Sequence, residues 1–194
     1  GDILDRGSDA RKIFDLLIEL EKEAEQAGAK VHVLIGNHEE MNLTGIAFRY
    51  PDYVTLDQFI SFLPEGYRQR KEKELRKRIV GLQTQGNSNQ LEKAINKFWD
   101  DLRKDPGGQR QYLSNFRRTY GVWLLQKNAV IKINGIVFVH GGISENFSTW
   151  KIEDINHQLR VELSDLSRAA ETGQTPNVAN PRVVYREDGP LWYR

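Results

Sequence analysis

Cysteine is absent from the 194-residue sequence, which excludes a disulfide framework, a thiolate zinc site and a cysteine nucleophile, and leaves oxygen and imidazole donors for any metal. An excess of charge is absent as well. Lys and Arg total 28 against 27 for Asp and Glu, so the net charge of +1 offers no global attraction for nucleic acid or an anionic membrane, and any electrostatic function must be local. Long apolar runs are also missing. The longest, such as Val122-Trp123-Leu124-Leu125 and Ile136 to Val139, fall far short of the about 20 residues that a bilayer requires. Neither a membrane segment nor a nucleic-acid partner is therefore expected. There is no internal repeat or low-complexity tract, and 39% hydrophobic content over this length suits one domain, 1–194, with its own core. The chain opens on Gly1 rather than methionine. The expectation is that an N-terminal part lies upstream, along with any targeting information; cytoplasmic and periplasmic locations both fit.

Ser8 is the expected N-cap of an amphipathic helix in which Ile13, Leu16, Leu17 and Leu20 recur at helical spacing until Gly28, forming one buried face. Val31 to Ile35 reads as a strand buried on both faces of a parallel sheet, the second strand of a βαβ unit whose first lies upstream of Gly1. From about 41 to 126 the pattern is mostly helical, with helices expected near 66–80, 89–104 and 109–120 between glycine and proline breaks. The basic run from Arg68 to Arg78 reads as a solvated helix face. Asn134-Gly135, flanked by alternating apolar residues, predicts a hairpin from about Ala129 to Val139 with a type I′ turn. An amphipathic helix from about Lys151 to Arg168, a polar loop from Gly173 to Asn180 and a short strand from Val183 to Tyr185 complete the pattern.

Three clusters carry chemistry: Gly1-Asp2-Ile3-Leu4-Asp5-Arg6-Gly7, Gly36-Asn37-His38-Glu39 and His140-Gly141-Gly142. Each falls where an expected strand gives way to a loop, the edge of an open α/β sheet at which ligands collect. Asp2 offers a carboxylate able to bridge two cations, Asn37 a neutral hard oxygen and His140 an imidazole, a donor set suited to manganese, iron or zinc. Two such ions can polarise a phosphoryl oxygen and share a hydroxide that attacks phosphorus in line. His38, next to Asn37, suits a general acid, with Asp5 as the carboxylate that fixes its tautomer. Arg6 adds a planar donor fork matched to phosphate oxygens.

GDILDRG, GNHE and HGG, in this order, resemble the second, third and fourth signatures of the phosphoprotein-phosphatase branch of the calcineurin-like metallophosphoesterases. The longer stretch GNHEEMNLTG and the closing Gly189-Pro190-Leu191-Trp192-Tyr193-Arg194 resemble the bacterial type of Shewanella-like phosphatase. The resemblance places metal ligands on Asp2, Asn37 and His140, the acid pair on His38 and Asp5, and phosphate contacts on Arg6, Asn37 and Arg194. Trp192 and Tyr193 would wall an aryl substrate or belong to the core. Two elements of the family pattern are not found: an Asp-x-His signature upstream of GDILDRG, and a further histidine after the Leu-Trp segment.

Simpler roles are expected for other residues. His32 is taken for a core histidine and His157 for a surface one, while Glu39 and Glu40 are taken for ordinary acids at a helix start. Tyr112, Phe116 and Tyr120 are expected to be helix packing. The resemblance implies an α/β (α+β) fold, a mixed β-sandwich flanked by helices and incomplete at both ends, with 43–128 as a helical insertion over the site. It further implies two divalent metals and a phosphorylated protein or small aryl phosphate ester as substrate. Two alternatives stand beside it: a nucleotide hydrolase of the diadenosine-tetraphosphatase type, and a non-catalytic phosphate-binding module.

Overall fold

The computed structural model describes residues 1–50, 52–83, 88–174 and 183–194, which are mainly helical. Helix α1 (Ala10–Gln26) is capped by Asp9 rather than by the expected Ser8, and without a side-chain cap, because the Asp9 carboxylate is taken by Lys12 at 2.6 Å. Its buried residues are Ala10 and Phe14, whereas Ile13, Leu16 and Leu20 are 40%, 53% and 38% exposed. The expected buried stripe is thus largely on the surface. What fixes α1 laterally is partly polar: Asp15 accepts from the Tyr120 hydroxyl at 2.6 Å, and Glu21 accepts from Trp123 Nε1 at 2.8 Å and Lys127 Nζ at 2.7 Å.

The segment after α1 touches its neighbour at a single parallel bridge, Leu34 with Asn128, reinforced by Ile35 N–H donating to the Asn128 carbonyl at 3.1 Å. Ile35 is buried but His32 is exposed, so His32 is not the core histidine expected. The hairpin does form where its turn chemistry predicts. Strands β1 (Val130–Ile133) and β2 (Ile136–Val139) pair antiparallel, with Val130 opposite Val139, around Asn134 at φ 50° and Gly135 at φ 84°. Two successive positive φ angles are what a type I′ turn demands. Among the described residues this hairpin is the only sheet, so the expected β-sandwich is not seen: apart from the Leu34–Asn128 bridge, no described strand pairs with the extended segment or with β2's outer edge. Val183 to Tyr185 is not a strand either, since the Val183 and Val184 N–H groups donate to the Glu162 carboxylate at 3.0 and 3.1 Å instead of to a neighbouring strand. Most of the polar loop expected from Gly173 to Asn180 lies outside the described residues.

Between these β elements lie α2 (Asn37–Thr44), a 3-10 turn (Ile46–Arg49), α3 (Leu56–Phe62), α4 (Glu65–Gln83), α5 (Ser88–Lys104) and α6 (Pro106–Phe116). A π turn (Arg117–Gly121) then leads to α7 (Val122–Leu124). Helices α4 and α5 fall close to the expected 66–80 and 89–104, whereas α6 starts earlier, at Pro106, and ends at Phe116, the π turn taking the rest of the expected 109–120. The basic stretch of α4 is tied up in ion pairs along its own surface, Arg68 with Glu72 at 3.6 Å and Lys71 with Glu74 at 3.0 Å, as a solvated face would be. Phe14, Phe59, Phe62, Tyr112, Phe116 and Tyr120 form an aromatic core, with Phe14 stacked on Tyr120 at 5.2 Å and Phe62 edge-on to Phe116 at 5.2 Å. After α8 (Glu145–Ser148), helix α9 (Ile152–Thr172) runs longer than predicted and places two buried polar side chains against bare backbone. Asn156 bonds the N–H groups of Ala129 and Val130 and the Val130 carbonyl, and Glu162 holds the start of the C-terminal segment. No helix among the described residues is long and apolar enough to cross a membrane.

Candidate active site

The three sequence clusters meet in one place, and Glu39 is the side chain that joins two of them. Its Oε2 accepts from Asp2 N at 2.7 Å and Gly36 N at 2.9 Å, while Oε1 accepts from Ile3 N at 2.7 Å and Leu4 N at 3.2 Å. The bond to Gly36 is the reach-back arm of a capping box at the start of α2; the other three fasten the GDILDRG loop to it. Glu39 is thus a buried staple and not an ordinary helix-start acid. The available signal was its place three residues after Gly36, the capping-box spacing. The loops approach so closely that a Cβ on Gly36 would lie 2.6 Å from Asp2 Oδ1, which explains glycine there.

Held in this way, Asp2 and Arg6 both adopt left-handed backbone angles, φ 62° and 61°, which non-glycine residues seldom take up. Asp2 Oδ1 then reaches two histidines, lying 3.2 Å from His140 Nε2 and accepting the His38 backbone N–H at 3.2 Å. His140 Nε2 also meets Asn37 Oδ1 at 2.9 Å and Arg194 Nη2 at 3.3 Å. Burial raises the Asp2 carboxyl, but the hydrogen bonds from His140 and the His38 backbone, with the charge of both rings, outweigh it and hold Asp2 below its usual range. Arg194 arrives because the C-terminal segment docks onto the HGG loop: Gly141 N–H donates to the Pro190 carbonyl at 2.9 Å, and Leu191 is fully buried. Trp192 is partly buried and donates to the Val184 carbonyl at 3.0 Å, whereas Tyr193 is exposed.

On the other side of Asp2 stand His38, Asp5 and Arg6. The buried imidazole presents Nε2 to Asp5 Oδ1 at 3.5 Å, and Nδ1 has no partner among the described residues. Arg6 Nη1 bonds Asp5 Oδ2 at 2.9 Å and stays half exposed. All seven sequence-predicted site residues are therefore brought together: Asp2, Asn37, His140 and Arg194 on one flank, His38, Asp5 and Arg6 on the other. Asp2, Asn37 and His140 fit a divalent cation, because a carboxylate, an amide oxygen and an imidazole lie 2.9–3.2 Å apart along the two contacts to His140. Donors each about 2.0–2.2 Å from one ion adopt comparable spacing. Asp2, Asp5 and His38 form a second grouping, with ligand atoms within 4.8 Å of one another.

Glu40 also departs from its expected role. It is fully buried behind the site, where burial pushes its carboxyl from an ordinary 4.5 up to about 8 against the hydrogen bond from the Thr44 hydroxyl. Between those two values the folded chain keeps a proton that the unfolded chain has released, so stability falls as pH rises from about 4.5 to about 8 and is fully retained below. Glu40→Gln should remove that loss, which is on the order of 3–5 kcal/mol. Urea unfolding of both proteins at pH 5 and pH 9 checks this; a difference between them that stays constant with pH would contradict it.

A sequence model of the calcineurin-like phosphoesterase family matches residues 1–179. Shewanella-like protein phosphatase 1 of Plasmodium berghei (strain Anka) is 25% identical over 195 residues, covering 99% of this chain and 40% of that protein. Shewanella-like protein phosphatase 2 of Arabidopsis thaliana is 31% identical over 164 residues, covering 82% of this chain and 40% of that protein. An uncharacterized protein of Schizosaccharomyces pombe is 51% identical over 45 residues, 23% of this chain and 14% of its own length. The chain thus spans about two fifths of the length of the two phosphatases it resembles, and these relatives are eukaryotic, giving no support to a bacterial type. No solved structure matches. With its signature loops converging on one site and a family match that runs from Gly1 through residue 179, the chain belongs to the calcineurin-like phosphoesterases.

Proposed function

We propose that this chain carries the phosphate-ester site of a metal-dependent phosphatase that hydrolyses phosphate monoesters, on phosphoprotein or aryl phosphates. The observation that carries the reading is the position of Asp2 between the two flanks, bonded to His140 on one and to the His38 backbone on the other. Two divalent cations (manganese, iron or zinc), held in part by Asp2, Asn37 and His140, would supply Lewis acidity and an activated water when bound. The forked guanidinium of Arg6, the Asn37 amide and Arg194 bind the non-bridging phosphoryl oxygens. His38 donates the Nε2 proton to the leaving oxygen as its bond to phosphorus breaks. At 3.5 Å that nitrogen lies beyond a good hydrogen bond to Asp5, so the carboxylate stands beside the ring without tying up its proton. The helical stretch 43–128 is an insertion bordering the site and screens what reaches it.

The second grouping, Asp2 with Asp5 and His38, supports a different reading in which His38 is a ligand and not an acid. Metal content separates the two, since His38→Ala would lose bound metal only if His38 is a ligand. The function itself is tested with the full-length gene product on p-nitrophenyl phosphate, a phosphopeptide and diadenosine tetraphosphate, before and after chelation. Turnover of the two monoesters that chelation abolishes and manganese restores is expected. Chelator-resistant turnover, or preference for the dinucleotide, would reject it, and phosphopeptide binding without turnover would point to a non-catalytic module.

A further inference from the structure

Tyr53 belongs to none of the three motifs, yet its ring touches both His38 and Arg6. The ring centroid lies 4.8 Å from that of the His38 imidazole at an interplanar angle of 56°, and the Arg6 guanidinium carbon lies 4.7 Å from the same centroid. Arg6 is half exposed and His38 buried, so Tyr53 bridges the solvent side of the site to its floor.

Tyr53 is itself well anchored. Its N–H donates to the Tyr50 carbonyl at 3.1 Å, and its ring stacks on that of Tyr50 at 5.0 Å. The next residue, Val54, is buried, and Arg103 Nη1 takes its carbonyl at 2.6 Å. Thr55 then caps α3, its Oγ1 accepting from Gln58 N at 3.2 Å. From α3, Gln58 joins Tyr112 and Asn42 in a buried network, and Asn42 Nδ2 donates to the His38 carbonyl at 2.8 Å. The helical stretch therefore grips His38 twice, at its backbone through Asn42 and at its ring through Tyr53. Asp5 at 3.5 Å is too distant to fix the ring plane by a hydrogen bond. An aromatic face does so by packing, and it holds a guanidinium through the attraction of a cation to the ring quadrupole.

We propose that Tyr53 is a positioning residue that holds the His38 imidazole and the Arg6 guanidinium at a fixed separation, so that proton donor and phosphate clamp engage the same phosphoryl group. This rests on the acid and clamp roles given above, and its test separates the two. A proton donor matters most when the leaving oxygen is basic, so misplacing His38 should slow an alkyl phosphate more than p-nitrophenyl phosphate. Misplacing Arg6 should weaken inhibition by inorganic phosphate.

The experiment measures kcat and KM on β-glycerophosphate and p-nitrophenyl phosphate, with inhibition by inorganic phosphate, in the full-length protein and its Tyr53→Leu, Tyr53→Phe and His38→Ala variants. Thermal unfolding of each variant monitors folding. In Tyr53→Leu, kcat should fall roughly tenfold further on the alkyl ester than on the aryl ester, and the phosphate inhibition constant should rise several-fold. Tyr53→Phe keeps the ring and should restore most of both. Equal losses on the two esters in Tyr53→Leu, beside a selective loss in His38→Ala, would overturn the Tyr53 inference and leave the site reading intact. Equal losses in His38→Ala would overturn the acid role and the Tyr53 inference with it.

Discussion

Asp2→Asn is expected to lower kcat/KM on the order of 10³-fold, the kinetic equivalent of several kcal/mol of lost electrostatic stabilisation. The substitution is nearly isosteric. Asparagine tolerates the left-handed backbone of position 2, φ 62°, about as well as aspartate, so the loop should keep its course. What changes is the charge on the group that meets His140 at 3.2 Å and the His38 backbone N–H at 3.2 Å. A neutral amide would hold a divalent cation less well than a carboxylate does, so bound metal per chain should fall in parallel. Metal analysis after dialysis and steady-state hydrolysis of p-nitrophenyl phosphate, both on the full-length gene product, check this. Full activity with a normal metal content would remove Asp2 from the ligand set.

The second large effect is expected at Glu39, which touches no substrate. Its carboxylate accepts four backbone N–H groups, from Asp2, Ile3, Leu4 and Gly36. In Glu39→Gln one oxygen becomes an NH₂ that faces N–H donors, leaving buried groups unpaired at a cost of roughly 2–4 kcal/mol. The loop that presents Asp2, Asp5 and Arg6 loses its fastening at the same time. A displacement of the order of 1 Å in those side chains is worth about 10²-fold in rate. Urea unfolding and kcat should therefore both suffer in Glu39→Gln, whereas the adjacent Glu40→Gln should gain stability above pH 8. If the two variants behaved alike, the assignment of Glu39 as the staple of the two loops would fall.

Some of this architecture is legible in the chain because its causes are local. Asn134-Gly135 supplies both positive φ angles of the hairpin turn without help from distant residues. Helices α4, α5 and α6 follow from the glycine and proline breaks that bound them, and Pro106 at the start of α6 sits where a missing N–H does no harm. The site residues are legible for a different reason: carboxylate, amide, imidazole and guanidinium occupy short glycine-flanked motifs whose chemistry names them.

The errors share one origin, which is that burial and pairing depend on what comes from elsewhere. Ile13, Leu16 and Leu20 have the spacing of a buried face, but a spacing cannot say whether another element covers it. Val183 and Val184 have the composition of a strand, yet their N–H groups are satisfied by Glu162 of α9, and a residue so bonded has no donor left for a ladder. Glu39 and Glu40 look alike as helix-start acids. One faces four N–H groups and the other is fully buried with one oxygen unpartnered among the described residues, and only packing tells them apart.

By itself, then, the sequence determined the chemical inventory: which side chains hold charge, which offer metal-ligating atoms, where the hairpin turn falls, and to which family the motifs point. The tertiary structure alone decided that Glu39 fastens two loops, that Glu40 is forced toward its neutral form, that Arg194 reaches His140, and that Tyr53 lies over His38 and Arg6. The physical reason is the range of the interactions. Backbone angles and donor types are properties of a residue and its neighbours, whereas desolvation, ring packing and hydrogen bonds across loops exist only once distant segments have been brought within a few ångströms of each other.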